Sequence, residues 1–312
     1  GCFGLGPAVG PDYVPPEPKM EDGWHQAITG SFDEGETDLQ TWWKVFNDPV
    51  LNRLIESAGK GNPGLKEAFA RIKEARARRG DAAGERFPDI DSKGNAIRLR
   101  SPHTFRPPTT QKARTDEFFR LAGDASWELD LWGRITRSIE STDASLEASV
   151  ENYRDVLVVL YAEVASNYVE VRTLQDRIKF VRANIETQRK TLTLTKNRFD
   201  AGLAPDLDVQ QATLNLTRTE STLPVLRMLL VQTLNRLGVL LGEHPIALHS
   251  ELALFASIPE PPDQVTVGLP AELLRQRPDI RRAERELAAQ TALIGVATAD
   301  LYPTFSLFGN FG

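Results

Sequence analysis

The sequence predicts a mainly α-helical protein built around a long antiparallel coiled-coil hairpin, with a few β-strands of alternating polarity. Three observations carry this expectation. Residues 134–201 run for 68 positions without Gly or Pro. Apolar residues recur at every seventh position along that stretch and again beyond residue 205. The segment "RLAGDASWELDLW", residues 120–132, alternates apolar with polar side chains.

Composition sets the bounds. A chain of 312 residues, 26% charged and 41% hydrophobic, accommodates one or two domains. The net charge is −6 and Lys and Arg are dispersed among acids, so no nucleic-acid partner is expected. The sequence contains no run of about 18 apolar residues, so no transmembrane helix is expected. A transmembrane β-barrel, whose strands are short and alternating, stays open.

The N-terminal region reads as a tether. Cys2 is the single cysteine, which leaves no disulfide framework and no cysteine-based zinc site. Two readings of Cys2 stand: an incidental residue, or the acylated Cys of a bacterial lipoprotein with Gly1 left from a removed signal. The Gly/Pro-rich "FGLGPAVGPDYVPPEP" that follows suits neither helix nor sheet.

An internal repeat organises the rest. Residues 62–95 and 277–310 align without a gap at an offset of 215, with eight identities, among them Pro63/Pro278, Gly80/Gly295 and Pro88/Pro303. Composition alone gives roughly two or three. Each repeat is expected to run helix, strands, long helix, helix. The second reaches Gly312 just inside its first strand, so the chain is expected to be a fragment lacking most of that repeat.

The rods follow from the seven-residue stripe. Val150, Leu157, Val164, Val171, Ile178, Ile185, Leu192 and Phe199 form the first, with Leu174 and Val181 in the intervening seam. Val209, Leu216, Leu223, Leu230 and Leu237 form the second, joined by Ala212, Leu226 and Leu240. Such spacing imposes left-handed supercoiling and knobs-into-holes packing. At 1.5 Å per residue the first rod is about 100 Å long, about three times a bilayer's apolar core, and its outer face is charged, so it stands in water. Pro224 is expected to bend or joint the second rod.

Between the rods lies "RFDAGLAPDLDV". Gly202 suits a helix end that needs positive φ, and Pro205 suits the next helix start. Asp206 and Asp208 fall in that helix's first turn, where the dipole favours acids. A ring of such acids in an oligomer could also select cations.

The strand at 120–132 places Leu121, Ala125, Trp127, Leu129 and Leu131 on one side, and Arg120, Asp124, Ser126, Glu128 and Asp130 on the other. It is either one strand of a soluble sheet or a barrel strand between lipid and an aqueous lumen. A less regular strand is expected near 94–106, and 303–312 is its counterpart in the second repeat. Two strands per repeat cannot close a barrel, which needs about eight, so membrane-spanning strands require an oligomer.

No chemistry is signalled. His25, His103, His244 and His249 are scattered, and "HPIALH" is a poor metal site. No phosphate loop, nucleophile elbow or metalloprotease helix occurs. Neither cofactor nor enzymatic activity is expected.

These residues resemble the outer membrane factors, the TolC-like channels of tripartite efflux and type I secretion, and most of all their NodT/OprM lipoprotein branch. The likeness runs in order through "VGPDYVPPEP", "WWKVFNDPVLNRLI" at 42–55, "SWELDLWGRI" at 126–135, "RFDAGLAPDLDVQQA" at 198–212, "LLGEHP" at 240–245 and "GLPAELLRQRPDIRRAE" at 268–284. It implies a homotrimer with a 12-stranded outer-membrane β-barrel on a long periplasmic α-barrel. It implies a passive conduit for small molecules or drugs, anchored in outer-membrane lipid through Cys2 and extending into the periplasm. A periplasmic adaptor and an inner-membrane pump of the RND type are its implied partners. Gly202 and Leu203 match the adaptor-contacting tip, and Asp208 matches an acid of the periplasmic gate, whose usual partners would lie beyond Gly312. As a fragment, the chain is not expected to form a working channel alone.

The implied division is 1–40 tether and equatorial segment, 41–88 first-repeat helices, 89–132 barrel strands and 133–242 helical hairpin. It continues with 243–276 equatorial connection, 277–302 second-repeat helix and 303–312 second-repeat strand. The alternative is a soluble coiled-coil scaffold or periplasmic adaptor, which would need neither detergent nor a lumen.

Overall fold

The computed structural model describes residues 8–16, 32–34, 41–101, 114–260, 265–267 and 274–312. In chain order the elements are β1 (Phe32–Glu34), a 3-10 turn (Trp42–Phe46), α1 (Pro49–Gly61), α2 (Pro63–Gly84), β2 (Asp89–Ser101) and β3 (Arg114–Leu129). There follow α3 (Arg134–Asp200), α4 (Asp206–Leu241), β4 (Val265–Val267), α5 (Pro278–Ala299) and β5 (Phe305–Phe311). The described residues fall into two compact units. Helix α3 contributes to both, up to Glu151 in the first and from Asn152 in the second.

The first unit joins a sheet to helices. Its strand order is β2-β3-β5, antiparallel throughout, with Ala96 opposite Phe119 and Leu307 opposite Trp127. The N-terminal part of α3 packs on α2 through Ala82, Ile135 and Ile139, and on α5 through Ala144, Ala288 and Ala289. Ion pairs flank both seams, Arg79–Asp143 at 2.8 Å on one side and Arg285–Glu147 at 3.2 Å on the other. The repeat is visible in these helices: α2 and α5 are each 22 residues long and start on the aligned prolines Pro63 and Pro278.

The second unit is a helical bundle. Leu51, Leu54, Ile55 and Ala58 of α1 pack against Leu160, Val164, Tyr168 and Val171 of α3 and Leu237 and Leu241 of α4. Asp48 caps α1, accepting from the Val50 and Leu51 amides at 2.8 and 3.1 Å, while Pro49 fills a first-turn position that needs no donor. The other Asp48 oxygen accepts from the Tyr168 hydroxyl at 2.6 Å. Buried Arg172 then donates to Tyr168 Oη, Gln175 Oε1 and the Leu254 carbonyl. This network fastens residues 252–254 to α3. Burial, aided by the bond to Asp48, raises the Tyr168 phenol above its usual pKa. Strand β1 pairs in parallel with β4, Phe32 opposite Val265.

The seven-residue stripe is the packed seam. Leu174 and Ile178 of α3 meet Leu226 of α4, with Val181, Leu223 and Leu230 around them. Arg189–Glu220 at 2.8 Å and Arg236–Glu163 at 3.6 Å bridge the same two helices, whose antiparallel run is thereby fixed.

Strand bounds need correction, and of the two outcomes expected at Pro224, a bend or a joint, the joint does not form: helix α4 runs continuously through it. Hydroxyls of Thr219, Ser221 and Thr222 bond back to carbonyls of Asn215, Arg218 and Thr219 in the preceding turns; the carbonyl that an amide at 224 would have served, that of Glu220, is not among these acceptors. The strand expected near 94–106 starts at Asp89, and the one expected at 120–132 begins at Arg114 and ends at Leu129. Mutual pairing along 13 registered positions extends both beyond their alternating cores. Finally, α4 holds an 18-residue window of mean hydropathy 1.2, so by length and composition this one helix could cross a membrane. A window mean tolerates Arg227 and Arg236 among leucines, where an unbroken apolar run does not. That window's Leu226, Leu230, Leu234 and Leu237 sit in the seams with α1 and α3.

Candidate functional site

The bend at 201–205 is built by helix-end geometry. Gly202 has φ +71°, its amide donates to Phe199 O at 2.8 Å, and the Leu203 amide donates to Arg198 O at 2.8 Å. This pair of bonds is the Schellman arrangement. Such an end is commonly stapled by an apolar contact between the residues at positions 198 and 203. Here position 198 is Arg, so Leu203 has no staple and stands 70% exposed. A Cβ at Gly202 would meet nothing within 4 Å, so glycine is needed there for its backbone angle and not for space. Leu207, one helical turn beyond Leu203, is also exposed.

Asp208 lies on the exposed first turn of α4, with its amide donating to Pro205 O at 3.1 Å. Among the described residues its carboxylate has no partner. Asp206 accepts a long 3.5 Å contact from Gln210 and bonds no backbone amide, so its link to the helix end is through the dipole. Gly202 and Leu203 thus lie in the bend, and Asp208 in the first helical turn after it. Cys2 lies outside the described residues.

The sheet presents a second candidate surface. Directly paired residues share a face, so Ile90, Ala96, Phe119, Leu121, Ala125, Trp127, Leu129, Leu307 and Phe311 form one side. Phe119 and Leu121 are each 78% exposed and Phe311 is 87% exposed, so no described residue covers this side there, while Ala125, Trp127 and Leu129 are half-buried. The opposite side carries Asp91, Lys93, Asn95, Arg120, Asp124 and Glu128, with Lys93 on Asp124 at 3.0 Å, together with the buried Ala122 and the exposed Phe308. Beyond Phe119 the pattern reverses: the directly paired Arg98 and Glu117 occupy the formerly apolar side, 3.2 Å apart, and Ile97, Leu99 and Phe118 move to the other.

At the other end the band stops at an aromatic cluster. The Trp127 indole donates to Arg86 O at 3.0 Å. Trp132 donates to Pro303 O at 2.9 Å and stacks on Tyr302, ring centres 4.7 Å apart. Asp130 caps α3 by accepting from the Ile135 and Thr136 amides at 3.0 and 2.9 Å, and Glu128 takes Arg134 in a two-bond fork. Strand and rod are therefore joined by fixed bonds.

One functional residue escaped the sequence reading. Arg137, almost fully buried, holds the N-terminal segment: it donates to the Val9 and Gly10 carbonyls and pairs with Asp12 at 2.7 Å. Gly10 crosses Gly295 so closely that a Cβ on Gly10 would lie 2.5 Å from the Gly295 Cα. Tyr13 then lies on Ala144, Ala288 and Ala289, under the Arg285 guanidinium. The tether motif "VGPDY" is a strap docked on α3 and α5. Its signal was present, but its partner lies 125 residues away in sequence from Asp12.

Comparison with known proteins agrees with this architecture. Residues 54–243 match the Outer membrane efflux protein family. Nodulation protein T of Rhizobium leguminosarum bv. trifolii is 33% identical over 306 residues, covering 98% of this chain and 64% of the relative. The pyoverdine export outer membrane protein OpmQ of Pseudomonas putida is 32% identical over 293 residues, covering 93% of this chain and 62% of its own length. Among solved structures, the outer-membrane channel OprN superposes with a TM-score of 0.86 at 39% identity, over 96% of this chain and 66% of that one. The Campylobacter jejuni CmeC outer membrane channel shares the fold, with a TM-score of 0.84 at 21% identity over 98% of this chain and 65% of that one. The chain thus spans a little under two thirds of the length of the proteins it matches. With its long helical hairpin, its strand–rod junction and its matched span of more than half the sequence, this chain belongs to the outer membrane efflux protein family.

Proposed function

We propose that the chain forms part of a passive outer-membrane export duct for small organic molecules, acting in a tripartite system with a periplasmic adaptor and an inner-membrane pump. The observation that carries this reading is the sheet: one apolar face, exposed at Phe119, Leu121 and Phe311, one mainly charged face, and aromatic residues at the end of the band. From Leu129 to Phe119 the apolar side runs about 33 Å along the strand, which at a tilt near 40° is about 25 Å of height, the apolar band of outer-membrane barrels. The reversal at Arg98–Glu117 then marks the outer edge of the lipid, and Trp127, Trp132 and Tyr302 mark the periplasmic edge.

The duct is a homotrimer whose twelve strands close one barrel. Three described strands cannot close, and the rods also present apolar residues without cover, Leu207, Leu214 and Met228 at multiples of seven along α4 and Phe180 and Leu194 on α3. These are seams for neighbouring copies. Unpartnered Leu203 and the open approach to Gly202 suit the adaptor-contacting tip, Asp208 the periplasmic gate, and acylated Cys2 the lipid anchor. The protein does no chemistry. Substrate passes down its gradient, and opening repacks the tip helices.

The test is conductance. The native gene product, extracted from the envelope with detergent, inserts into planar bilayers as trimers and passes ions in discrete steps. A detergent-free soluble protein that is silent in bilayers is the outcome for a scaffold, and it would refute the duct.

A further inference from the structure

Lys179 and Arg182 lie on one face of α3, one turn apart, and Arg227 of α4 lines the same cavity of about 550 Å³. Among the described residues none of the three has a carboxylate partner. Elsewhere the rods pair such residues, Arg189 with Glu186 and Glu220, and Arg236 with Glu163. The cavity floor is apolar, formed by the buried Ile178, Leu234 and Leu252. Phe255 stands at the side, with the Lys179 ammonium 4.4 Å from its ring centre. The segment carrying Phe255 is held in place. Gln175 donates to Leu252 O at 2.6 Å and Arg172 to Leu254 O at 2.9 Å. The pocket wall is therefore fixed before any ligand arrives.

Three like charges around one apolar cavity repel one another, and an anion seated among them relieves that cost. The apolar floor gives no advantage to a small inorganic ion. We propose that this pocket binds an amphipathic organic anion, with a carboxylate or phosphate head between Lys179, Arg182 and Arg227 and an apolar body against Ile178, Leu234, Leu252 and Phe255. The volume falls within the roughly 300–1,000 Å³ usual for small-molecule sites. The ligand comes either from envelope lipid, as a fatty acid or phospholipid, or from exported cargo. The pocket and its anion preference rest on the second unit alone, and only the assignment of its ligand to lipid or cargo rests on the conduit reading.

The test uses a palmitate analogue bearing a diazirine, photolysed with the envelope-extracted protein in lipid nanodiscs and mapped by peptide mass spectrometry. Label is expected on 175–182 and 227–255, displaced by dodecyl phosphate. A hexadecanol diazirine, identical but uncharged, is expected to label these peptides roughly tenfold less, the factor equivalent to 1.4 kcal/mol. Lys179→Gln, Arg182→Gln and Arg227→Gln are each expected to reduce palmitate labelling in protein of unchanged mass and helicity. Lipid extraction of the unlabelled protein separates the sources: a co-purifying anionic lipid assigns the site to the envelope, and an empty site that still takes the probe assigns it to cargo. Equal labelling by acid and alcohol, or labelling unaffected by all three substitutions, would overturn the proposal. So would an Arg182→Cys thiol that a small maleimide cannot reach in the assembled protein, since a second copy would then fill the cavity.

Discussion

Leu203 and Arg137 are opposite kinds of residue, and substitutions separate them. Leu203 makes no staple and is largely exposed, so Leu203→Ser is expected to leave thermal stability within about 0.5 kcal/mol. If the tip meets an adaptor, the same change abolishes export in a drug-susceptibility assay. Loss of stability instead would place Leu203 in a core that the structure does not contain. Arg137→Met removes a buried donor set and leaves the Val9 and Gly10 carbonyls without that donor, while the exposed Asp12 carboxylate returns to water. A cost of about 1–3 kcal/mol is expected, read as faster hydrogen exchange at the Val9 amide, which bonds to Trp132 O. At Gly202 the φ of +71° predicts that Gly202→Ala loosens the end of α3 by about 1 kcal/mol, with Gly202→Asn costing less. The left-handed glycine was legible because only its local turn requires it. Arg137 was not, because its meaning lies in a strap far away in sequence.

Among elements, the helices were more legible than the strands. A seven-residue period is local, and it named the seam residues Leu174, Ile178 and Leu226 that meet in the structure. Leu226→Ala is accordingly expected to cost about 2–4 kcal/mol in the hairpin, measured by thermal or chemical melting. Met228→Gln, on an exposed stripe of the same helix, is expected to leave the melt of the single chain unchanged and to weaken assembly, read by sedimentation. Strand limits are set by pairing, so Asp89 and Arg114 were not readable from alternation alone. At Pro224 the sequence left a bend and a joint both open, and the joint does not form. A proline removes one bond, and the packed seam of α4 on either side holds the helix together.

The whole molecule makes sense only with its surroundings added. The sheet exposes Phe119, Leu121 and Phe311 on one side, and the rods expose a second apolar stripe. A chain that buried these within itself would have to give up the antiparallel register that gathers the apolar residues from Phe119 to Leu129 on one side. The sequence indicated this through alternation, but it left a soluble sheet open because alternation looks the same against a core or against lipid. The exposure of Phe119, Leu121 and Phe311 is what the lipid-facing proposal rests on. The direct measurement is site-resolved lipid contact along β3, using nitroxide labels at Leu121→Cys and Asp124→Cys in the reconstituted native protein. The account predicts that oxygen, which concentrates in lipid, relaxes the label at 121, and that a water-soluble nickel chelate relaxes the one at 124. Nickel access at both positions, with no lipid signal at 121, would contradict it.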